Sequence, residues 1–247
     1  MSTSAEHRIF TSSFFVMTYK HLFFDLDHTL WDFESNAKQT LQELYIKMEL
    51  IAYGVSSFDA FYERYTYHNT RLWDRYRKGF IKRDDLRWKR MWNTLLDFKT
   101  GNEQLARAMD SFFLDKLPTR TILFPHTVEV LEYLRGKGYT LHLITNGFEA
   151  VQHSKLKYSG LTGFFEAVIT SEGSNSLKPH KEIFEYALRK TGATQTESIM
   201  LGDDMEADIA GAKNAGIDQV YVNHKNIPAS LQPTYTVYSL NGLRHIF

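Results

Sequence analysis

The sequence predicts an α/β protein, a doubly wound parallel sheet carrying an inserted bundle of α-helices, and three observations lead there. An apolar run, Leu22-Phe23-Phe24, stops abruptly at Asp25-Leu26-Asp27. From residue 125 onward, short apolar runs alternate with amphipathic segments, as buried parallel strands alternate with their crossover helices. Between the first run and the second, the apolar spacing is helical throughout, which marks that stretch as an insertion.

The first run opens the core. Ahead of it, the apolar stretch from Ile9 to Val16 is broken by Thr11, Ser12 and Ser13 and preceded only by Arg8, so residues 1–16 read as a disordered extension rather than a signal peptide. The globular chain then begins near Met17. After the first strand, apolar residues recur at i, i+3, i+4, i+7 in four sets: Leu41, Leu44, Tyr45, Met48; Phe58, Phe61, Tyr62, Tyr65; Trp88, Met91, Trp92, Leu95; and Leu105, Ala108, Met109, Phe112. Each set is the stripe of one amphipathic helix. The bundle should occupy 36–118 as a cap, joined near 32–36 and 116–122 to a core made of 17–35 and 119–247.

The core resumes with a helix marked by Val128, Val130, Leu131 and Leu134 and stopped at Gly136 to Gly138. Strands are expected at 141–145, 167–170, 199–201 and 220–222. Between them, Ile183, Phe184, Ala187 and Leu188 mark a helix ended by Gly192, and Ile209 and Ala212 another ended by Gly216.

Composition bounds the function. Equal numbers of basic and acidic residues, 29 of each, leave no global attraction to a nucleic acid polymer or an anionic membrane, so any anion site must be local. The absence of cysteine excludes disulfides, thiolate catalysis and cysteine-held zinc or iron–sulfur centres. The ten histidines form no metal-type pair on a helical face, which argues against zinc catalysis. No apolar run approaches the ~18 residues of a membrane helix, and a cytoplasmic protein with a small-molecule partner is expected.

Ligands of an open parallel sheet bind beyond the carboxyl ends of its strands. The residues there are Asp25 and Asp27; Thr145-Asn146-Gly147; a loop reaching Lys178-Pro179; and Gly202-Asp203-Asp204 with Asp208. Successive strand residues point to opposite faces, so Asp25 and Asp27 lean the same way, one placed to attack and the other to shuttle a proton. A hard cation such as Mg²⁺ takes oxygen ligands of the kind this turn offers. The Thr145 hydroxyl and the N–H groups around Asn146 and Gly147 suit phosphoryl oxygens, and Lys178 supplies a positive charge.

Taken together these four segments, over roughly residues 17 to 223, resemble motifs one to four of the haloacid dehalogenase-like (HAD) superfamily: Asp-x-Asp-x-Thr, Thr-Asn-Gly, Lys-Pro and Gly-Asp-x-x-x-x-Asp. The resemblance implies a sheet ordered 5-4-1-2-3, a C1-type helical cap, and phosphomonoester hydrolysis with Asp25 as the nucleophile that forms an aspartyl-phosphate. It implies Asp27 as general acid and base, and Mg²⁺ held by the Asp25 carboxylate, the Asp27 carbonyl and Asp203. Asp204 stands where Ser or Thr often follows, and Ser174 lies in a loop often richer in Gly. Whether Asp204 or Asp208 supports the water shell of the metal stays open.

Around the motifs, Leu72-Trp73, Tyr76 and Gly79, Ile144 through Phe148, Ile183-Phe184 and Val222-Asn223 are similar to the pyrimidine 5′-nucleotidase branch, which cleaves nucleoside monophosphates. The alternative is a phosphosugar or phosphoglycolate phosphatase. Asp27 argues against a metal-free dehalogenase, since dehalogenases of this resemblance lack the second Asp, and the intact motifs argue against a non-catalytic relative. Residues 71–90 carry nine basic against three acidic residues, which reads as a solvated helical face or as a funnel for an anionic substrate. Within them Trp73 and Tyr76 are the candidates to recognise the leaving group, with bundle core as the competing role.

Overall fold

The computed structural model describes residues 19–247, so the extension expected over 1–16 and the opening near Met17 lie outside the described residues. Its sheet contains β1 (His21–Phe24), β2 (Thr140–Thr145), β3 (Ala167–Thr170), β4 (Ser198–Gly202), β5 (Asp218–Val222) and β6 (Tyr235–Val237). They lie in the order β3-β2-β1-β4-β5-β6, every neighbouring pair parallel. The first five reproduce the expected order; β6, an edge strand with two of its three residues exposed, extends it.

The sheet is wound on both faces because its strands alternate. Leu22, Phe24, Leu141, Leu143, Ile199 and Leu201 pack on one side with α5 (Thr127–Gly136) and α6 (Glu149–Tyr158). Phe23, Ile144, Ile169 and Met200 pack on the other with α8 (Lys181–Thr191) and α9 (Gly211–Asn214). A one-turn helix, α7 (Ser171–Ser174), follows β3. No described helix is long and apolar enough to cross a membrane.

Four helices intervene between β1 and α5: α1 (Phe33–Lys47), α2 (Phe58–Arg77), α3 (Arg83–Asp97) and α4 (Glu103–Lys116). Asp32, Ser57 and Asn102 cap α1, α2 and α4 through side-chain oxygens that accept from the first turn, each substituting for a partner that the helix cannot supply itself. The stripes expected on α1, α2 and α3 face inward through Leu41, Leu44, Phe61, Tyr65, Met91 and Leu95. On α4 the stripe is rotated by one residue: Ala106, Met109, Asp110 and Phe113 are buried, while Ala108 is exposed. The rotation brings Asp110 against Arg90 and Arg87 of α3, an ion-pair preference that an apolar template cannot register.

The chain enters and leaves this bundle through one stitched point. Asn36 donates to the carbonyls of Asp32 (2.7 Å) and Ile122 (2.8 Å) and accepts from the Ile122 amide (3.1 Å). The Asp32 amide donates to the Ile122 carbonyl at 3.1 Å, and Trp31 bridges to Leu123. Both crossings are thereby held together beyond the carboxyl end of β1, an interior strand of the sheet.

Candidate active site

The ladder runs up to the first carboxylate: the Asp25 amide donates to the Leu201 carbonyl at 2.8 Å, which buries its side chain beyond the end of β1. Lys178 reaches it from the loop after β3. The buried ammonium donates to Asp25 Oδ1 at 2.5 Å and to Asp208 Oδ1 at 2.7 Å. Its backbone is fixed by Asn146, whose Oδ1 accepts from the Lys178 amide (2.7 Å) while Nδ2 donates to the Lys178 carbonyl (2.9 Å). The Asn146 side chain is thus occupied in positioning Lys178.

Asp208 sits on a π-helical turn, Met205–Ala210, whose wider coil returns its carboxylate to the strand end. There Oδ2 accepts from the Asp204 amide at 3.0 Å. A Cβ on Gly202 would lie 2.1 Å from that same oxygen, so only glycine leaves room for it. Asp203 accepts from the Thr29 hydroxyl at 3.2 Å.

Asp25, Asp203 and Asp208 bring one carboxylate oxygen each to within 4.8 Å of one another. Burial pushes the Asp25 carboxyl up to about 7; Lys178 opposes the rise and Asp208 adds to it. Asp203 and Asp208 are raised too, first by burial and then by neighbouring carboxylates, with Lys178 pulling Asp208 back. The buried ammonium stays charged because Asp208 and Asp25 outweigh its desolvation. Three carboxylates against one ammonium leave excess negative charge around an all-oxygen donor set, and these residues fit a hard divalent cation such as Mg²⁺.

Asp27 is set apart from that cluster. Its carboxylate accepts from Lys155 Nζ at 2.5 Å and from Gln152 Nε2 at 2.9 Å, two buried residues one helical turn apart on α6. Lys155 also lies 4.3 Å from the centre of the Trp31 ring. Burial alone would raise Asp27, but Lys155 and Gln152 outweigh it and hold the carboxyl below the usual range. A Cβ on Gly147 would fall 1.6 Å from Gln152 Nε2, so this glycine lets α6 approach Asp27. Thr145, buried at the end of β2, accepts from the Gly147 amide at 3.1 Å.

Above these groups is a cleft of ≈ 250 Å³, lined below by Asp25, Asp27, Thr145 to Gly147, Lys178 and the motif-four aspartates. Its other wall is made by His28 and Phe33 together with Asn69, Thr70, Trp73 and Arg77 of α2. Trp73 stacks on Phe148 with ring centres 5.8 Å apart. Tyr76 is not among the lining residues; it meets Phe148 edge-on at 6.5 Å. Arg77 donates to Asp204 Oδ2 at 3.0 Å, and Asp204 also caps the π turn through the Glu206 and Ala207 amides. The basic segment is therefore largely paired: Arg83 with Glu172, Arg87 and Arg90 with Asp110, Lys78 with Asp74 and Lys89 with Asp85.

The residues that sequence reasoning missed are Lys155, Gln152 and Asn69, while Arg77 lay within the basic segment read as a solvated face or an anion funnel. The trace of the first two in the sequence is spacing: Gln152 and Lys155 share a helix face with buried Leu156 close by.

A parallel doubly wound sheet whose strand ends gather buried carboxylates around a buried lysine has the architecture of a hydrolase with a Rossmann-like core. Residues 19–216 match the haloacid dehalogenase-like hydrolase family, and the chain belongs to it. It is similar to the pyrimidine 5′-nucleotidase YjjG of Escherichia coli, with 31% identity over 93% of this chain and 98% of the relative. It is also similar to the pyrimidine 5′-nucleotidase PynA of Streptococcus pneumoniae, with 34% identity over 92% and 94%. A glyceraldehyde 3-phosphate phosphatase of Methanothermobacter thermautotrophicus is 30% identical over 83% and 85%. Among solved structures, the putative HAD-hydrolase YfnB of Bacillus subtilis, described as bound to magnesium, superposes with a TM-score of 0.84 at 26% identity, covering 93% of this chain and 98% of that one. With such relatives the chain is a HAD-type hydrolase of the phosphoric monoester class.

Proposed function

We propose that the protein is a Mg²⁺-dependent 5′-nucleotidase acting on pyrimidine nucleoside monophosphates through an aspartyl-phosphate. The observation that carries the reading is the convergence of Asp25, Asp203 and Asp208 around Lys178 at the floor of a cleft whose opposite wall holds an indole and an amide. Asp25, Asp203 and the Asp27 carbonyl would hold the cation, with Asp208 and Asp204 as supporting groups. Bound there, Mg²⁺ would screen the nucleophile from the phosphate and draw negative charge off the phosphoryl oxygens.

On this reading the Asp25 carboxylate attacks phosphorus while the ester P–O bond breaks. Lys178 and the N–H groups of Asn146 and Gly147, with the Thr145 hydroxyl, take the phosphoryl oxygens. Asp27 rests as a carboxylate beside Lys155. It can take a proton from a phosphate monoester, whose second ionisation lies near pH ~6, and pass it to the leaving oxygen. In the second step Asp27 accepts a proton from water as that water attacks phosphorus, releasing phosphate and restoring Asp25; Asp27 then gives this proton up to solvent and returns to its resting carboxylate.

The two similar nucleotidases support nucleoside monophosphates as substrates, and a cytoplasmic setting goes with such metabolites. The similar glyceraldehyde 3-phosphate phosphatase favours a phosphosugar as the second reading. Purified protein tested on UMP, dTMP, glyceraldehyde 3-phosphate, phosphoglycolate and 2-chloropropionate, with Mg²⁺ and in chelator, separates them. Turnover in ¹⁸O-water should label the released phosphate; label in Asp25 would instead mark attack on a carbon ester and a dehalogenase.

A further inference from the structure

We infer that Asn69 reads a carbonyl oxygen on the leaving group, making it a specificity-determining residue for uracil- and thymine-type bases. The inference rests on the nucleotidase reading above and deepens it.

Asn69 is in α2, on the cleft wall opposite the phosphate-binding residues. Its amide stands 3.3 Å from Arg90 Nη1. A guanidinium carries donors only, so the atom facing it must be Oδ1, and the two ends of this amide are thereby told apart. The Nδ2 group, with two hydrogens, is left for other partners and makes no hydrogen bond among the described residues. A side chain anchored in this way on the cleft wall offers a substrate donors and not acceptors. It complements a ring carbonyl and opposes an exocyclic amine at the same place.

The anchor is itself immobilised. Arg90 is 2% exposed, donates through Nε to the Arg87 carbonyl at 3.1 Å, pairs through Nη2 with buried Asp110 at 3.5 Å and lies 4.8 Å from the centre of the Phe113 ring. Burying an ion pair in a small helical bundle costs more than an apolar pair would, and orienting Asn69 is a use for it that packing alone does not provide. Arg90 and Asp110 are therefore positioning residues, acting through Asn69. Holding its oxygen against a cation also polarises the amide and strengthens its N–H donors.

The test is a ratio of kcat/KM values, UMP over ribose 5-phosphate, which has the same phosphate ester and sugar but no base. Asn69→Asp keeps size and shape and still accepts from Arg90, yet has no donor; Asn69→Leu removes both. Both variants should lower the ratio at least tenfold. Thermal melts accompany each measurement, and a structural role predicts that Asn69→Asp leaves the ratio untouched. A ratio within twofold of wild type in Asn69→Asp overturns the inference while leaving the nucleotidase reading standing. A wild-type ratio near one removes the nucleotidase reading itself, and the inference with it.

Discussion

Lys155 donates to Asp27 at 2.5 Å from a helix 128 residues away in sequence, and this contact sets the resting charge of the proposed acid–base residue. Without the ammonium, burial would be left to raise the carboxyl. Lys155→Met keeps the apolar stem beside Trp31 and deletes the charge. The acid limb of the kcat/KM profile should then move to higher pH and kcat should fall about 10- to 100-fold, as for other acid–base defects. A pH profile from 5 to 9 with an unmoved acid limb would contradict the pairing.

Asp25→Asn should separate stability from activity. The folded-state carboxyl lies at about 7, above the ordinary value of 3.8, so the folded protein binds the extra proton between those values and stability falls as pH rises through the window. Above pH 7 in chelator the neutral amide removes that penalty. Melting temperature should equal or exceed wild type, while turnover drops by at least ~10³-fold through loss of the nucleophile. A well-folded Asn variant with near-normal turnover would rule out Asp25.

Mg²⁺ binding should release protons near neutral pH, because the carboxyls of Asp25, Asp203 and Asp208 are all raised when no cation is present. Calorimetric titration in two buffers of different ionisation enthalpy measures the number. The metal should also raise the melting temperature, by about 2.7 kcal/mol of stabilisation at 100-fold excess over Kd. Asp203→Asn should abolish both effects, and retention of both would remove Asp203 from the cation site.

Acid should weaken the sheet through His142. Its ring is buried on β2, stacked on Phe23 at 4.8 Å, and its Nε2 faces His21 Nδ1 at 3.1 Å. Burial, with His21 adding to it, pulls its pKa down to about 4 from 6.5. The unfolded chain therefore binds the proton more readily between those values, and the stability present above 6.5 is lost as pH falls toward 4. Between pH 7.5 and pH 5 the His142 contribution alone should fall by about 1 to 2 kcal/mol. Asp25 works in the opposite sense over the same window, so the quantity to read is the change in stability of wild type minus that of His142→Phe, both in chelator; identical pH dependence in the two proteins would place the acid sensitivity elsewhere.

The strand ends were readable because buried parallel strands are apolar on both faces, and a carboxylate directly after such a run has no camouflage. Asp25 and Asp203 stand out for that reason, while Thr145 and Lys178 were read from their place in the Thr-Asn-Gly and Lys-Pro segments; the topology that gathers them follows from right-handed crossovers. The strand β6 was not readable: three residues at an edge, mostly exposed, leave no apolar run. Nor was Lys155, because a lysine followed by Lys157 on a helix has the signature of a solvated face until Asp27 is brought to it by the fold. The rotated stripe of α4 and the Arg90–Asp110 pair behind Asn69 have the same cause, since a charged residue turns inward only when its partner is already there.

The double crossing at Asn36 bears on how such a protein diversifies. With both ends of the helical segment clamped at one amide, the segment is a loop whose closure is fixed beyond the end of interior strand β1 rather than by its own contents. Loop-closure entropy grows only logarithmically, about 0.6 kcal/mol for each doubling of length. Helices between the crossings can lengthen, shorten or be exchanged while the strand ends keep their spacing, so leaving-group preference can drift between descendants without the phosphate chemistry having to be rebuilt.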